Sequence, residues 1–302
     1  MYKKYVGITL VSMLIVGSFV SLVSPITPVA AQTGWDFQCH TYTHPHLTRL
    51  STSQIASEIQ KVNDAFQAHG LPIPEHHAYP YGDYNDTVIN IVKQYRKSGR
   101  TVSDIMETYP VPDWYQLKAA EIRGNTDWAT IQGWIDNAIT AKGLLPIFTH
   151  RVTTPAQQYG CTPATLTQLC DYLVEKQNLG QLSVMTMAQA YNGFTGNKAV
   201  VVLQFDDGWK TDYTTAWPIL KQRGLAGTSF IYTQAIDGNW YDSMNWTNVK
   251  EMYETPVTTP TPITLTTTIT TTIVLAVVTL LAIYILKIRK PRIPKTKINT
   301  QQ

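Results

Sequence analysis

Segments typical of buried strands alternate with segments of helical periodicity between residues 35 and 232 of this 302-residue chain. This alternation favours an α/β architecture with parallel strands. Ser51 and Thr162 begin two of the helical segments, where their side chains are expected to act as N-caps. The predicted strands are 35–40, 101–105, 144–150, 199–207 and 227–232. The predicted helices are 51–70, 84–97, 127–143, 162–176 and 212–224.

Polar side chains stand where the apolar strands end. The segment "AVVVLQFDDGW" runs from a buried strand into Asp206 and Asp207, and two other strands end at His40 and His150. In parallel barrels the carboxyl ends of the strands meet at one rim, where catalytic groups gather. The sequence therefore predicts that these four side chains share one site.

The spacing of His40 and His44 constrains how both could bind one metal ion. In a continuous strand they would stand roughly 13 Å apart at about 3.3 Å per residue, and Pro45 forces His44 out of helical geometry. A sharp turn after Thr41 would let both imidazoles reach one ion, and a carboxylate such as Asp207 would complete three ligands. Three protein ligands with an open position for water are typical of a catalytic zinc-type site.

The adjacent acids Asp206 and Asp207 are expected to have different roles. Neighbouring side chains on a strand point to opposite faces, so both cannot bind the ion without a local twist. One can bind metal while the other accepts a proton. Either motif alone is common, since the two acids could simply form a turn, but the two motifs together in one chain are more specific.

Four segments carry a resemblance to a known family. "LQFDDGW" (203–209), "HTYTHPHL" (40–47), "AYPYGDYN" (78–85) and "PIFTHRV" (146–152) resemble the motifs of polysaccharide deacetylases, the NodB-homology or carbohydrate esterase family 4 group. The resemblance covers nearly all of residues 35–254. It implies a distorted (β/α) barrel and an enzyme that removes acetyl groups from N-acetylated or O-acetylated sugars with a divalent metal, usually zinc.

The resemblance also implies a role for individual residues. These are the metal ligands Asp207, His40 and His44, the general base Asp206, the general acid His150, and the backbone N–H of Tyr81 as an oxyanion donor. Trp209, Tyr79 and Trp240 are candidates for stacking on sugar rings, with plain core packing as the alternative for each.

The chain departs from the family pattern in two ways. Ala78 stands where many members carry an arginine that orients the base, and Arg123 is a candidate replacement from elsewhere in the fold. The motif order is also reversed, because FDDG follows HTYTH here, which resembles a circular permutation with residues 192–198 as the joint. The alternative is a truncated tandem protein made of pieces from two barrels. A closed barrel tolerates permutation because its original termini lie close together.

Both ends of the chain are expected to lie outside the folded domain. Lys3 and Lys4 precede a long apolar run that ends in small residues, which is typical of a signal peptide, with an uncleaved anchor as the alternative. The later apolar run is long enough to span a bilayer, and the basic residues after it are expected to stay on the cytoplasmic side. The predicted divisions are a signal peptide (1–31), a permuted deacetylase-like catalytic domain (32–254), a Thr/Pro-rich stalk (255–268), a transmembrane helix (269–288) and a basic cytoplasmic tail (289–302).

The sequence leaves open whether two of the three cysteines form a disulfide. Outside the cytoplasm Cys161 and Cys170 could pair, or both could be reduced buried thiols, and Cys39 is interpreted as a small core residue. The net charge of +3 is supplied by the tail, so no nucleic-acid partner is expected.

The sequence predicts a single-pass membrane protein whose catalytic domain lies on the extracytoplasmic side and deacetylates a polysaccharide. Two alternatives remain: a glycan-binding surface module that retains the metal site but has little or no activity, and a metal-free remnant.

Overall fold

The structure, a computed structural model, describes residues 34–103 and 105–258. Its strands form one sheet in the order β3-β2-β1-β8-β7-β5-β4, with β6 beside β7, and each pairing between them is parallel. The predicted α/β architecture with parallel strands is confirmed, and the sheet forms a half-barrel. The strands are β1 (Asp36–Cys39), β2 (His76–Ala78), β3 (Ser98–Arg100), β4 (Ala120–Glu121), β5 (Leu144–Thr149), β6 (Leu182–Val184), β7 (Ala199–Asp207) and β8 (Thr228–Ile231).

Helices connect the strands and cover the outside of the sheet. Ser51 begins the first helix with a capping box, and Thr162 accepts from the N–H of Thr165 at the start of the fourth, so both predicted N-caps are confirmed. A π-helical turn at Asp212–Ala216 leads directly into the sixth helix. The helices are α1 (Thr52–Ala68), α2 (Asp86–Val92), α3 (Trp128–Ala141), α4 (Pro163–Asn178), α5 (Met187–Gly193), α6 (Trp217–Lys221), α7 (Thr233–Asp237) and α8 (Trp246–Glu254).

Two predicted boundaries are wrong in the region of β3. The strand lies at Ser98–Arg100 rather than 101–105, and α2 ends at Val92 rather than near residue 97. Ser98 and Gly99 carry no strand propensity of their own. The strand forms there because β2 pairs with it, His76 opposite Ser98 and Ala78 opposite Arg100.

The two outermost strands of the sheet are brought together by the segment that leads into β4. The N–H of Thr101 donates to the carbonyl of Leu117 at 2.7 Å, and the N–H of Leu117 donates to the carbonyl of Gly99 at 2.9 Å. The sheet is therefore strongly curved, and the carboxyl ends of its strands surround a common space.

The early and late parts of the chain belong to the same sheet. β1 pairs in parallel with β8, and the N–H of Trp35 donates to the carbonyl of Met252 at 3.0 Å. A Cβ on Gly34 would collide with the carbonyl oxygen of Tyr253, so the chain entering β1 packs tightly against the end of α8. The two ends of the folded region lie side by side, as the permuted arrangement requires.

This adjacency predicts that the motif order of the family can be restored. Joining Thr255 directly to Gly34 and opening the chain between residues 193 and 198 should give a protein that unfolds cooperatively as a monomer, because the strand neighbours are unchanged. Circular dichroism and size-exclusion chromatography measure this. A control with the same joint but opened at Gly133 inside α3 should fail to fold, because it interrupts a helix that packs on the core. An unfolded or aggregated product from the first variant would contradict the prediction.

The three cysteines are free thiols, and all of them are buried. Cys39 packs within the main apolar core, as expected. Burial raises the pKa of Cys161 to about 11 and raises that of Cys170 further, so both stay protonated at neutral pH. Of the two alternatives for Cys161 and Cys170, the structure has the reduced pair.

Several predicted segments lie outside the described residues: the signal peptide (1–31), the stalk from residue 259 onwards, the transmembrane helix (269–288) and the tail (289–302). Among the helices of the described part, none combines the length and the apolar character needed to span a bilayer.

Candidate active site

The carboxyl ends of the strands open into a cavity of about 460 Å³. The six residues predicted to form the site all line it: His40, His44, Tyr81, His150, Asp206 and Asp207. The cavity wall also contains residues that were not predicted as site residues, including Arg100, Glu121 and Tyr159. The structure therefore brings together every side chain that the motifs singled out.

The turn after β1 brings the first two histidines together. Thr41 and His44 both have left-handed backbone angles, with φ of 69° and 60°, and the side chain of Thr41 accepts from the N–H of His44 at 3.0 Å. The predicted sharp turn after Thr41 is confirmed. The two Nε2 atoms of His40 and His44 lie 3.1 Å apart.

A carboxylate of the adjacent helix stabilises the strained backbone of this turn. A β-branched residue with positive φ is unfavourable, and such conformations cost about 1–3 kcal/mol each. Glu58 in α1 accepts from the N–H groups of Tyr42 and Thr43 at 3.0 and 2.8 Å, and from the hydroxyl of Thr43 at 2.9 Å. These hydrogen bonds fix the turn against α1.

Three donor atoms converge on one point of the cavity. The Oδ1 atom of Asp207 lies 3.6 Å from Nε2 of His40 and 3.5 Å from Nε2 of His44. A tetrahedral zinc ion with bonds of about 2.0–2.2 Å would space its ligands about 3.3–3.5 Å apart. Asp207 Oδ1 is buried and has no hydrogen-bond partner among the described residues, as expected of an atom placed to bind a cation. The donor set fits a divalent metal.

The surroundings keep the imidazoles in the form that binds metals. His40 Nδ1 donates to the carbonyl of Ala78 at 2.8 Å, which leaves the Nε2 lone pair directed at the site. Burial lowers the pKa of His40 well below its ordinary value, and the neighbouring His44 and Arg100 lower it further. Burial also lowers the pKa of His44 and raises that of Asp207. A bound cation would favour the ionised carboxylate and so oppose this last effect.

The two adjacent acids are held apart by the backbone. Asp206 is the penultimate residue of β7 and is buried, whereas Asp207 has a left-handed φ of 76° that turns its side chain toward the histidines. This left-handed residue is the local twist that the two adjacent side chains need in order to take different roles. The indole N–H of Trp209 donates to the Oδ2 atom of Asp207 at 3.1 Å and holds the carboxylate from the other side.

The arginine next to Asp206 is Arg100, and the expectation that Arg123 would take this place is wrong. One terminal nitrogen of Arg100 donates to both carboxylate oxygens of Asp206. Arg123 instead pairs with Glu121 at 2.6 Å. Arg100 ends β3, the strand beside β2, so it reaches Asp206 from the strand next to Ala78. The sequence did not indicate Arg100 because the predicted strand, 101–105, begins just after this residue, whereas the strand in the structure ends at it.

Aromatic rings hold the Arg100–Asp206 pair away from water. The guanidinium of Arg100 lies 4.2 Å from the ring centroid of Phe148 and 5.4 Å from that of Phe230. Arg100 is 1% exposed and Asp206 is 3% exposed. The pair is thus a buried ion pair, and removing either partner would leave an unpaired charge in a nonpolar environment.

His150 lies on the wall of the same cavity, between two carboxylates. Its Nε2 atom is 4.0 Å from Oδ2 of Asp207, and its Nδ1 atom is 3.8 Å from Oε1 of Glu121. Glu121 belongs to the two-residue strand β4, which is too short to give a sequence pattern. The imidazole therefore has one nitrogen toward the metal-site carboxylate and the other toward Glu121.

The loop that carries Tyr81 is attached to the histidine turn. The Tyr81 ring stacks on His46 with centroids 3.9 Å apart, and its hydroxyl donates to the carbonyl of His44 at 3.3 Å. His46 Nδ1 contacts the carboxylate of Asp83 at 2.5 Å. Tyr81 has a left-handed φ of 61°, so its peptide group points in a different direction from those of the flanking residues. This attachment keeps the loop at the edge of the metal site.

The aromatic candidates for sugar contacts differ in exposure. Tyr79 is buried, and its hydroxyl donates to the carbonyl of Tyr115, so it is a core residue. Trp209 is partly buried beside Asp207, and Trp240 is 49% exposed. Of the three, only Trp209 and Trp240 have surface available for a ligand.

A family model described as "Polysaccharide deacetylase" matches residues 16–98 and 194–259. The first segment contains His40, His44 and Tyr81, and the second contains Asp206 and Asp207. This chain carries a polysaccharide deacetylase domain. His150 and Arg100 lie between the matched segments, and in this deacetylase domain the fold brings them to the same cavity.

Individual relatives match shorter parts of the deacetylase domain. A bifunctional xylanase/xylan deacetylase from Cellvibrio japonicus is 41% identical over 49 residues, which is 16% of this chain and 7% of that protein. IcaB from Ammonifex degensii is 28% identical, with a TM-score of 0.32, over 36% of this chain and 48% of that one. A family 4 carbohydrate esterase from Streptomyces lividans is 31% identical, with a TM-score of 0.21, over 23% of this chain and 35% of that one. The chain thus spans less than half of each of these relatives.

Proposed function

We propose that this chain is a metal-dependent hydrolase that removes acetyl groups from N-acetylated or O-acetylated sugars of an extracellular or cell-surface polysaccharide. The observation that carries the proposal is the convergence of the donor atoms of His40, His44 and Asp207 beside the separately held carboxylate of Asp206. The match to the polysaccharide deacetylase family model supports the same chemistry.

The metal ligands in this proposal are His40, His44 and Asp207, and the ion is zinc. A divalent cation bound there would supply Lewis-acid polarisation of the acetyl carbonyl and would make a water molecule more acidic. Three protein ligands would leave part of the coordination shell of such an ion open to the cavity, as is typical of catalytic rather than structural sites.

Asp206 acts as the general base. Its carboxylate takes a proton from the attacking water while the water oxygen forms a bond to the acetyl carbonyl carbon. Arg100 fixes the direction of this carboxylate, because it donates to both oxygens and its guanidinium packs against the rings of Phe148 and Phe230. Arg100 is therefore a positioning residue for the base.

His150 acts as the general acid and Tyr81 as an oxyanion donor. The backbone N–H of Tyr81 stabilises the negative charge that develops on the carbonyl oxygen. When the C–N bond breaks, or the C–O bond in an ester, His150 gives a proton to the departing atom and acetate leaves. Glu121 lies 3.8 Å from the other ring nitrogen, on the side of the imidazole away from Asp207.

The proposal also includes a location and a complete architecture. It describes a distorted (β/α) barrel with permuted motif order, exported by a signal peptide at 1–31 and held by a transmembrane helix at 269–288. The support is the apolar and basic pattern of these segments. The catalytic domain would then face the extracytoplasmic side, where its polysaccharide substrate lies.

An alternative is a glycan-binding module with a retained metal site but little activity. That alternative rests on Ala78, which stands where many family members have an arginine. The contact between Arg100 and Asp206 removes this reason, because an arginine reaches the base from the neighbouring strand.

Acetate release from acetylated chito-oligosaccharides and acetylated xylo-oligosaccharides tests the proposal. The zinc-loaded chain should release acetate from at least one of them, chelation should abolish the release, and added zinc should restore it. Release that is insensitive to chelation would contradict the metal's role. Saturable binding of these sugars to the zinc-loaded chain without acetate release would favour the binding module instead.

A further inference from the structure

A second groove, of about 300 Å³, lies beside the catalytic cavity. Arg151 and Trp209 belong to two of the sequence motifs, but the proposed chemistry does not use the groove. Its walls combine aromatic rings, charged groups and hydroxyls: Arg151, Trp209, Lys210, Thr211, Thr214, Tyr241 and Asp242.

The groove is continuous with the catalytic cavity through neighbouring residues in the chain. His150 lines the cavity and Arg151 lines the groove, while Asp207 lines the cavity and Trp209 lines the groove. Trp209 connects the two directly, since its indole N–H donates to the Asp207 carboxylate. A ligand that continues beyond the metal site on this side would therefore enter the groove.

The inner wall of the groove is rigid. The guanidinium of Arg151 stacks on the ring of Trp209 at 3.6 Å and also pairs with Asp242 at 3.1 Å. The N–H of Lys210 donates to the carbonyl of Asp242 at 2.7 Å, which holds the turn at residues 240–242 against the wall. A preorganised wall lowers the conformational cost of binding.

The outer wall is an aromatic ring that the fold leaves in water. Tyr241 is 90% exposed, and the ammonium of Lys210 lies 6.0 Å from its ring centroid. Because Tyr241 lines the groove and its ring is not covered by the fold, the ring is available to a ligand that enters the groove. Sugar rings present C–H faces that stack on such rings and hydroxyls that bond to lysine, arginine and threonine side chains.

We propose that this groove binds the sugar residue adjacent to the one that is deacetylated, with Tyr241 as the stacking surface. The inference rests on the proposed function and narrows its substrate to oligomeric or polymeric glycans rather than small acetyl esters. Continuity with the cavity identifies the occupant as the next residue of the same polysaccharide chain.

The test compares long and short substrates on the full, zinc-loaded chain. The ratio of kcat/KM for an acetylated tetrasaccharide to that for a small aryl acetate ester should fall about tenfold in Tyr241→Ala, the effect of losing one aromatic contact. Tyr109→Ala is the matched control, because Tyr109 is 56% exposed but lines neither cavity, and its ratio should equal that of the unsubstituted chain. Tyr241 is so exposed that its truncation should not affect folding.

An unchanged ratio in Tyr241→Ala would overturn the proposal. A loss of equal size for the tetrasaccharide and the small ester would also overturn it, since Tyr241 would then act on the catalytic cavity. If neither substrate is hydrolysed, the proposed function fails, and calorimetric binding of the tetrasaccharide then tests the groove by itself. Weaker binding by Tyr241→Ala supports the groove, and equal binding by both proteins refutes it.

Discussion

Replacing Asp206 by asparagine is expected to lower kcat for acetate release by about 10²–10⁴-fold, the usual contribution of a general base. Asparagine has nearly the same shape and can still accept from Arg100, but it cannot take a proton from water. The metal should remain bound, because the ligand atoms belong to His40, His44 and Asp207. Initial rates and metal analysis of the same dialysed sample measure the two effects together.

The matched control is Asp207→Asn, one residue further along the chain. This substitution removes the Asp207 carboxylate from the donor set, so it should lower zinc affinity as well as activity. If Asp206 is the base and Asp207 is a ligand, the Asp206→Asn sample should retain zinc and the Asp207→Asn sample should lose it. Zinc loss in Asp206→Asn, or full activity in that variant, would show that the base is misassigned.

The positions of the predicted site residues followed from a general property of parallel sheets. His40, His150, Asp206 and Asp207 each stand at or just beyond the end of an apolar strand, and such ends meet at one edge of the sheet. The apolar runs of β5 and β7 are long enough to be recognised without their neighbours. A site residue could therefore be predicted from the sequence wherever the strand that carries it could be predicted.

Arg100 and Glu121 show where this reasoning stops. They lie at the ends of strands of three and two residues, which have no periodicity and weak propensity. These strands exist because β2 and β5 provide hydrogen-bonding partners, and a partner distant in sequence leaves no local signal. Had β3 been placed correctly, Arg100 would have been a polar residue at a strand end like the others.

The reversed order of the motifs has no effect on the geometry of the site. β8 pairs with both β7 and β1, so the strand with the two acids and the strand with the histidines flank the same neighbour. Contacts within a sheet depend on which strands are adjacent and not on the order in which the chain makes them. Permutation changes only where the ends lie, and here they lie next to α8.

The Arg100–Asp206 pair should also determine much of the stability of the domain. Arg100→Met is expected to lower the free energy of unfolding by about 3–5 kcal/mol, because it leaves the Asp206 carboxylate buried without a partner. Urea unfolding of the metal-free protein measures the change. Arg223→Met is the control. Arg223 pairs with Asp171, whose carboxylate is 60% exposed, so its loss should cost about 1 kcal/mol or less.

A double variant distinguishes the cost of an unpaired charge from the loss of packing. In Arg100→Met with Asp206→Leu no charge is left behind, and apolar side chains of similar volume often replace a buried ion pair without loss of stability. The double variant should therefore recover most of the stability that Arg100→Met alone loses, while remaining inactive. If the two substitutions instead destabilise additively, the pair is not coupled, and the role of Arg100 in holding the base would have to be abandoned. Recovery of stability without recovery of activity would mean that the buried pair is kept for the function of Asp206 rather than for the stability of the fold.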